Sequence, residues 1–172
     1  LNLSGVDMST RLATTLTGTL SGSGSLTFAG PGTLTLSASN SFSGDTRVSA
    51  GTLVASNANA LSGSTLDMNA SDSGSISFSQ ASTIGGLKGS RDLANGGNTL
   101  TIGGNNSSTT YSGALSGTGG LTKQGSGTLW LSGSNSFTGL TTVSSGTLSI
   151  GSGSTTGSIA SDIANSGAVV FN

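Results

Sequence analysis

The chain has 172 residues, of which 30 are Gly, 36 Ser and 25 Thr, and its formal net charge is −1. Cys, His and Glu are absent and charged residues make up only 6%, which excludes disulfides, thiolate metal sites and catalysis by Ser-His-Asp or Cys-His groups. The five Lys and Arg residues form no basic patch, so the sequence predicts no nucleic-acid partner, and it offers no cofactor or metal motif.

Leu, Ile and Val alternate with Ser and Thr along the chain, as in GTLTLS from Gly32 and GTLWLS from Gly127. A period of two predicts β-strands, and frequent Gly and Thr disfavour helix. In chain order, the predicted strands are Ser25–Phe28, Thr33–Ser37, Thr46–Ser49, Thr52–Ala55, Thr65–Asn69, Ser75–Ser79, Thr99–Ile102, Leu121–Lys123, Thr128–Ser132, Thr141–Ser144 and Thr147–Ile150.

A long internal repeat organises these strands. Residues 18–56 and 113–151 align without a gap at an offset of 95 positions, and 24 of the 39 aligned residues are identical. We therefore expect residues 1–172 to be one solenoid segment built from a unit of about 95 residues. Short strands joined only by turns predict stacked coils of roughly 20–25 residues, about four coils per unit and a rod roughly 35–40 Å long.

Alternation also predicts which side chains face the interior. The apolar positions of the repeated strands should form a stacked core ladder, with Ser and Thr facing outward. The predicted ladder is Leu34, Leu36, Val48, Leu53, Leu129, Leu131, Val143 and Leu148.

The repeated SNSF segments predict turn anchors. Asn40 and Asn135 are expected to hydrogen-bond the turn backbone, and Phe42 and Phe137 to pack against the end of the coil. Trp130 replaces Thr35 of the first copy and should point outward. It is therefore a candidate contact for a partner protein or a glycan, as an alternative to lying over a neighbouring coil.

The sequence predicts no catalytic residue. Lys123 stands at a repeat position and is expected to be a solvated coil residue, although it and Lys88 are the only Lys available for a Ser-Lys pair. Asp67 and Asp72 are the nearest carboxylates in sequence, but they flank an expected turn, which disfavours a paired acid-base site.

The second copy resembles a known family. GTGGLTKQGSGTLWLSGSNSFTGLTTVSSGTL, from Gly117 to Leu148, is similar to the passenger-associated repeat of autotransporters, also called the autotransporter-associated β-strand repeat. The first copy departs from the pattern at Phe28, Ala29 and Ala38. The resemblance implies a right-handed parallel β-helix in the passenger of a type V secreted protein, at the surface of a Gram-negative bacterium or released from it.

The resemblance also implies partners and a function. The partners would be the rest of the passenger chain and a C-terminal β-barrel translocator. The segment would be a stalk or spacer whose folding outside the cell aids export, because each coil that forms buries apolar surface and opposes back-sliding.

Three other functions stay open at this point. The solenoid could itself be an adhesin surface, with an exposed row centred on Trp130. A polysaccharide-acting enzyme would need clustered Asp, Arg or Lys, of which the sequence offers few. Ice binding would use Thr-x-Thr rows, for which Thr33/Thr35 and Thr99/Thr101 fit locally, but Trp130 interrupts the motif in the second copy.

Both ends of the chain read as ordinary repeat strands. Neither Leu1 onward nor the apolar tail at Val169–Phe171 resembles a cap, and an uncapped solenoid end exposes an unpaired strand edge. We therefore expect the segment to be internal to a longer passenger, and the isolated segment to self-associate.

Overall fold

The chain forms an all-β solenoid in which parallel strands stack coil upon coil. The structure, a computed structural model, describes residues 6–8, 13–153 and 157–172. Within these ranges there are nineteen strands and no helix of any length, and hence none that could cross a membrane. The strands are β1 (Val6–Met8), β2 (Thr14–Leu16), β3 (Leu26–Phe28), β4 (Thr33–Leu36), β5 (Thr46–Val48), β6 (Thr52–Ala55), β7 (Leu61–Met68), β8 (Ser75–Phe78), β9 (Ser82–Gly89), β10 (Leu93–Ala94), β11 (Leu100–Ile102), β12 (Thr109–Tyr111), β13 (Leu115–Ser116), β14 (Leu121–Lys123), β15 (Thr128–Leu131), β16 (Thr141–Val143), β17 (Thr147–Ile150), β18 (Ile163–Asn165) and β19 (Ala168–Phe171).

Each coil has three faces, which we number in the order the chain visits them. Face 1 stacks β1, β3, β5, the second half of β7, the second half of β9, β12, β15, β17 and β19. Face 2 contains β2, β4, β6 and β8 and then, after an interruption, β10 and β13. Face 3 contains the first residues of β7 and β9, followed by β11, β14, β16 and β18.

The long strands β7 and β9 pass through the corner between faces 3 and 1, so the strands of these two faces form one 13-stranded sheet. All pairings among the described strands are parallel. The nine levels of face 1 correspond to a rod of about 38 Å at the usual strand spacing. The parallel β-helix architecture predicted from the repeat is therefore confirmed. Its right-handed sense stays a prediction, which the crossover rule for parallel strands favours.

The two repeat copies have matching strands on different faces. Strands β3, β4, β5 and β6 recur 95 residues later as β14, β15, β16 and β17. However, β3 is linked by pairing to the second half of β9, whereas β14 is linked through β11 to its first half. The second copy is therefore turned by one face relative to the first, and one unit spans about four and two-thirds coils rather than a whole number of coils.

A single apolar core runs along the inside of the stack, from Leu20 to Ile150. All eight residues of the predicted core ladder lie in it, each with at most 1% of its surface exposed. On face 1 the inward column continues from level to level through Phe28, Val48, Met68, Gly89, Tyr111, Leu131 and Ile150, and at the last level it ends in Phe171, which is 71% exposed. Every coil thus covers the apolar side chains of its neighbours, which is the main source of solenoid stability.

Several strands have no counterpart among the sequence-based predictions. The clearest is β9, whose sequence STIGGLKG contains two adjacent glycines that favour a turn. In the structure Gly85 and Gly86 are buried at the corner between faces 3 and 1. An added Cβ on Gly85 would lie 2.6 Å from backbone atoms of Gly63 in the neighbouring coil. Gly85 is therefore needed for close stacking, and the two glycines do not end the strand. At the chain ends, β19 is present at the apolar tail, whereas residues 1–5 lie outside the described part.

Candidate functional surface

The outward side chains of face 1 form the most varied surface of the solenoid. In register, this face 1 column contains Thr27, Arg47, Asp67, Lys88, Thr110, Trp130, Ser149 and Val170. The corresponding column on face 3 contains Thr83, Thr101, Thr122 and Thr142 and then Ala164. Of these two faces, face 1 therefore offers the greater chemical variety to a partner.

The charged residues of the face 1 column take part in ion pairs. Arg47 donates two hydrogen bonds to the Asp72 carboxylate, from Nε to Oδ2 at 2.8 Å and from Nη2 to Oδ1 at 2.7 Å. The Asp72 side chain is only 2% exposed, and its hydrogen bond raises the pKa of Arg47 above the ordinary value. Lys88 Nζ lies 2.5 Å from Asp45 and 3.8 Å from Asp67.

The two carboxylates that are nearest in sequence contact different cations. Asp72 is bound by Arg47, while Asp67 lies 3.8 Å from Lys88. The described residues bring no group of three or more Asp side chains together at a metal-binding distance. Each of these ion pairs joins residues from different coils, so the network is suited to holding coils together.

Trp130 occupies the face 1 column between Thr110 and Ser149. Its flanking residues Leu129 and Leu131 point inward and are buried, so Trp130 points outward as predicted. The side chain is half-buried. Ser149 beside it is 2% exposed although it belongs to an outward column, and its hydroxyl accepts a hydrogen bond from Asn172 Nδ2 at 2.7 Å. The part of Trp130 that remains exposed is available to a partner, and that role stays a prediction.

Lys123 is buried, and its assignment as a solvated residue was wrong. It lies in the inward column of face 3 between Ile102 and Val143 and is 1% exposed. Its Nζ donates hydrogen bonds to the backbone oxygens of Gln124 at 2.5 Å and of Gly125 at 3.0 Å, with a third, longer contact to Ser145 O at 3.4 Å.

Burial lowers the pKa of Lys123, because the charged form loses hydration. The equivalent residue of the first copy is Phe28, which is also fully buried. Strand alternation predicts an inward side chain at both positions. The charge of Lys123 predicts the opposite, because a buried ammonium is costly unless backbone acceptors surround it.

Replacing Lys123 tests this burial. Lys123→Ala should lower the free energy of unfolding by about 3 kcal/mol, because it leaves a cavity and removes the donor from three carbonyls. Lys123→Phe restores the residue of the first copy and should cost less than half as much. Chemical denaturation of both variants measures the difference. A loss below about 0.5 kcal/mol for Lys123→Ala, the range of ordinary surface substitutions, would contradict the buried position.

The predicted turn anchors join neighbouring coils. Asn40 accepts a hydrogen bond from Leu20 N–H at 2.9 Å and donates one to Ala60 O at 2.9 Å, so it connects the coils before and after its own. Asn135 does the same with Leu115 N–H and Ser158 O, both at 2.9 Å.

The aromatic partners of these Asn residues are also interior. Phe42 and Phe137 have at most 1% of their surface exposed. Asn95 makes comparable bonds to Gly119, donating from Nδ2 to its carbonyl oxygen at 2.9 Å. Asn95 lacks the SNSF context, so the repeat pattern did not point to it.

Tyr111 links its own segment to the preceding coil from inside the core. Its hydroxyl donates to the backbone oxygen of Arg91 at 2.8 Å and lies 3.2 Å from that of Ala114, and the residue has no exposed surface. Burial, with a smaller contribution from the charge of Asp92, raises the pKa of Tyr111 well above its usual value.

Tyr111 is the only tyrosine of the chain, so absorbance at 295 nm reports its ionisation alone. In denaturant the absorbance should rise with a midpoint near pH 10, whereas the folded protein should show no rise there. Because only the unfolded state then loses the proton, the free energy of unfolding should fall above pH 10 by up to about 1.4 kcal/mol per pH unit. A folded-state midpoint near pH 10 would mean that the phenol is exposed. Tyr111→Phe supplies the baseline.

Comparison with known proteins identifies the repeated strands. The model of the passenger-associated-transport-repeat family matches residues 26–55 and 121–150, which start 95 positions apart (121 − 26). The chain carries two passenger-associated transport repeats. The first match spans β3 to β6 and the second spans β14 to β17, so both repeats comprise the strands that supply the predicted core ladder.

A much longer relative covers most of the chain. Over 153 residues the chain is 40% identical to the protein named Adhesin BmaC autotransporter, from Brucella suis biovar 1 (strain 1330). The alignment covers 81% of this chain and 4% of that protein. No solved structure matches the chain. The passenger-associated repeats and this relative indicate an autotransporter passenger, which is exposed at the cell surface of a Gram-negative bacterium or secreted from it.

Proposed function

We propose that the chain is a structural segment of an autotransporter passenger, acting as an extracellular stalk or spacer whose folding aids export across the outer membrane. The observation that carries the proposal is the continuous core from Leu20 to Ile150. No single coil is stable alone, and each added coil buries several apolar side chains worth about 1.5–3 kcal/mol apiece. Folding of one coil after another outside the cell would therefore oppose return of the chain.

The partners that this proposal requires are the remainder of the passenger and a C-terminal β-barrel translocator. The matched relative is far longer than this chain, which supports a place within a longer passenger. The proposal assigns no reaction to the segment. This fits a surface whose described carboxylates are spread over several coils and whose central charges form ion pairs.

Export of the intact passenger tests the proposal. Leu131→Asp, which breaks the core, should reduce the amount of passenger displayed at the surface, measured by antibody binding to an epitope that emerges after this segment. Thr110→Asp changes an exposed outward residue of the same face and should leave display unchanged. If Leu131→Asp unfolds the segment and display stays at the wild-type level, folding of these coils does not assist export.

A second candidate function is direct adhesion through the surface around Trp130. It is favoured by the exposed part of this residue, the only tryptophan of the chain, and by the adhesin name of the relative. Binding of the segment to immobilised glycans and host-cell surfaces should then fall at least tenfold in Trp130→Thr, which installs the residue of the first copy. Equal binding by the variant, with unchanged stability, would exclude this role for Trp130.

A further inference from the structure

Face 2 of the solenoid is interrupted at one level. Strand β8 is the last member of its four-stranded sheet, and β10, which follows it on this face, pairs only with β13. A cleft of about 230 Å³ lies at the interruption. Its walls include apolar Met68, Ile76 and Leu93 together with Ser75, Arg91 and Asp92.

The guanidinium of Arg91 is poorly satisfied within the described part of the protein. Its Nε is buried and has no hydrogen-bond partner. Nη2 makes only long contacts, at 3.5 Å to Val48 O and 3.9 Å to Met68 Sδ. No carboxylate oxygen of the described residues forms an ion pair with it.

The other basic side chains of the described part differ from Arg91 in this respect. Arg47 and Lys88 are paired with Asp residues, and Lys123 donates to backbone oxygens. A guanidinium carries five N–H donors in a fixed fork, and leaving them buried without acceptors is costly. Arg91 is therefore the one cation of this part that still needs an acceptor.

The backbone of Arg91 is held in place from both sides. Its N–H donates to Met68 O at 2.9 Å, and its carbonyl oxygen accepts the Tyr111 hydroxyl at 2.8 Å. An added Cβ on Gly113 would lie 2.5 Å from Arg91 O, so the next coil packs directly on it. Ligand binding therefore need not order the backbone at Arg91.

We propose that this cleft binds a small monocarboxylate, with Arg91 as the residue that pairs with the carboxylate. The two terminal Nη groups of Arg91, rather than its covered Nε, would meet the carboxylate in two-pronged geometry, and the apolar wall accommodates a short hydrocarbon portion. Asp92 also lines the cleft, is exposed, and accepts a hydrogen bond from Ala114 N–H at 2.8 Å. Its negative charge disfavours a doubly charged anion, so a carboxylate is preferred over sulfate or phosphate.

NMR of the arginine side chains tests the site in the folded segment, with sodium propionate as the probe. The Nε–H signal of Arg91 should shift saturably at millimolar propionate, whereas that of Arg47, already paired with Asp72, should not. Backbone amide signals of Leu93 and Ala94 should follow the same curve, and Arg91→Lys should abolish their saturable shift. Sodium chloride at equal ionic strength should produce none of these changes.

Two results would overturn the assignment. A linear shift that is equal for Arg91 and Arg47, or that chloride reproduces, would show that no site exists. Saturation by sodium sulfate at concentrations equal to or below those of propionate would show that the site does not select carboxylates.

Discussion

Leu131→Asp is expected to remove most of the stability of the solenoid around its level, with a loss of roughly 5 kcal/mol in the free energy of unfolding. Leu131 has no exposed surface and lies in register between Tyr111 and Ile150 in the inward column of face 1. The substitution removes apolar volume from a close-packed column and places an unpaired carboxylate there. Denaturant unfolding monitored by the fluorescence of Trp130, the neighbouring residue, measures the loss.

Thr110→Asp is the matched control for this prediction. Thr110 is exposed on the same face and lies beside Trp130, so the same carboxylate enters solvent there and stability should change by less than about 0.5 kcal/mol. If Leu131→Asp unfolded at the same denaturant concentration as the parent, the inward assignment of Leu131 and the core it belongs to would be wrong.

Gly146→Ala is expected to cost about 3 kcal/mol or more, because two penalties combine at this turn. Gly146 has φ +67°, a conformation in which a side chain costs roughly 1–2 kcal/mol. An added Cβ would also lie 2.2 Å from Gly125 O and 2.6 Å from Gly127 O of the preceding coil. The coils would have to separate to relieve this overlap, which disrupts the ladder between β15 and β17.

Gly96→Ala isolates the conformational penalty. Gly96 has φ +63° and nothing within 4 Å of an added Cβ, so its substitution should cost only the roughly 1–2 kcal/mol of the left-handed backbone. The difference between the two variants, measured by thermal or denaturant unfolding, is the cost of separating stacked coils. Equal losses for the two variants would mean that contact between the coils at Gly146 is unimportant.

The buried and outward sides of most strands were predictable from local alternation. Leu34 and Leu36, or Leu129 and Leu131, are separated by one outward residue, and an extended backbone places such pairs on one side whatever the rest of the chain does. The same holds for Trp130, whose outward direction follows from its two neighbours. The SNSF turns were recognisable because they are repeated, although the sequence could not show that Asn40 and Asn135 bond to the adjacent coils.

Side chains whose surroundings come from other coils were not predictable in this way. Lys123 is stable inside only because Gln124, Gly125 and Ser145 direct carbonyl oxygens towards its Nζ. Arg91 shows the opposite case, since its Nε has no acceptor where the face 2 sheet is interrupted. Neither the acceptors around Lys123 nor their absence at Arg91 can be predicted from the local sequence, because the surrounding groups come from the turns and strands of neighbouring coils.

The sequence by itself determined that the chain is a repetitive parallel solenoid and which residues line its interior. It also determined that the repeats are of the passenger-associated type. Each of these properties follows from a period or a motif contained in a short stretch.

The tertiary structure alone decided which face each copy occupies. Successive levels are joined by links of different length, such as residues 69–74 between β7 and β8 and residues 90–92 between β9 and β10. Each difference shifts the later strands around the axis, so that β4 lies on face 2 and its counterpart β15 lies on face 1. The face on which a strand lies depends on the lengths of all the links before it. It is therefore a property of the whole stack, and no local sequence pattern specifies it.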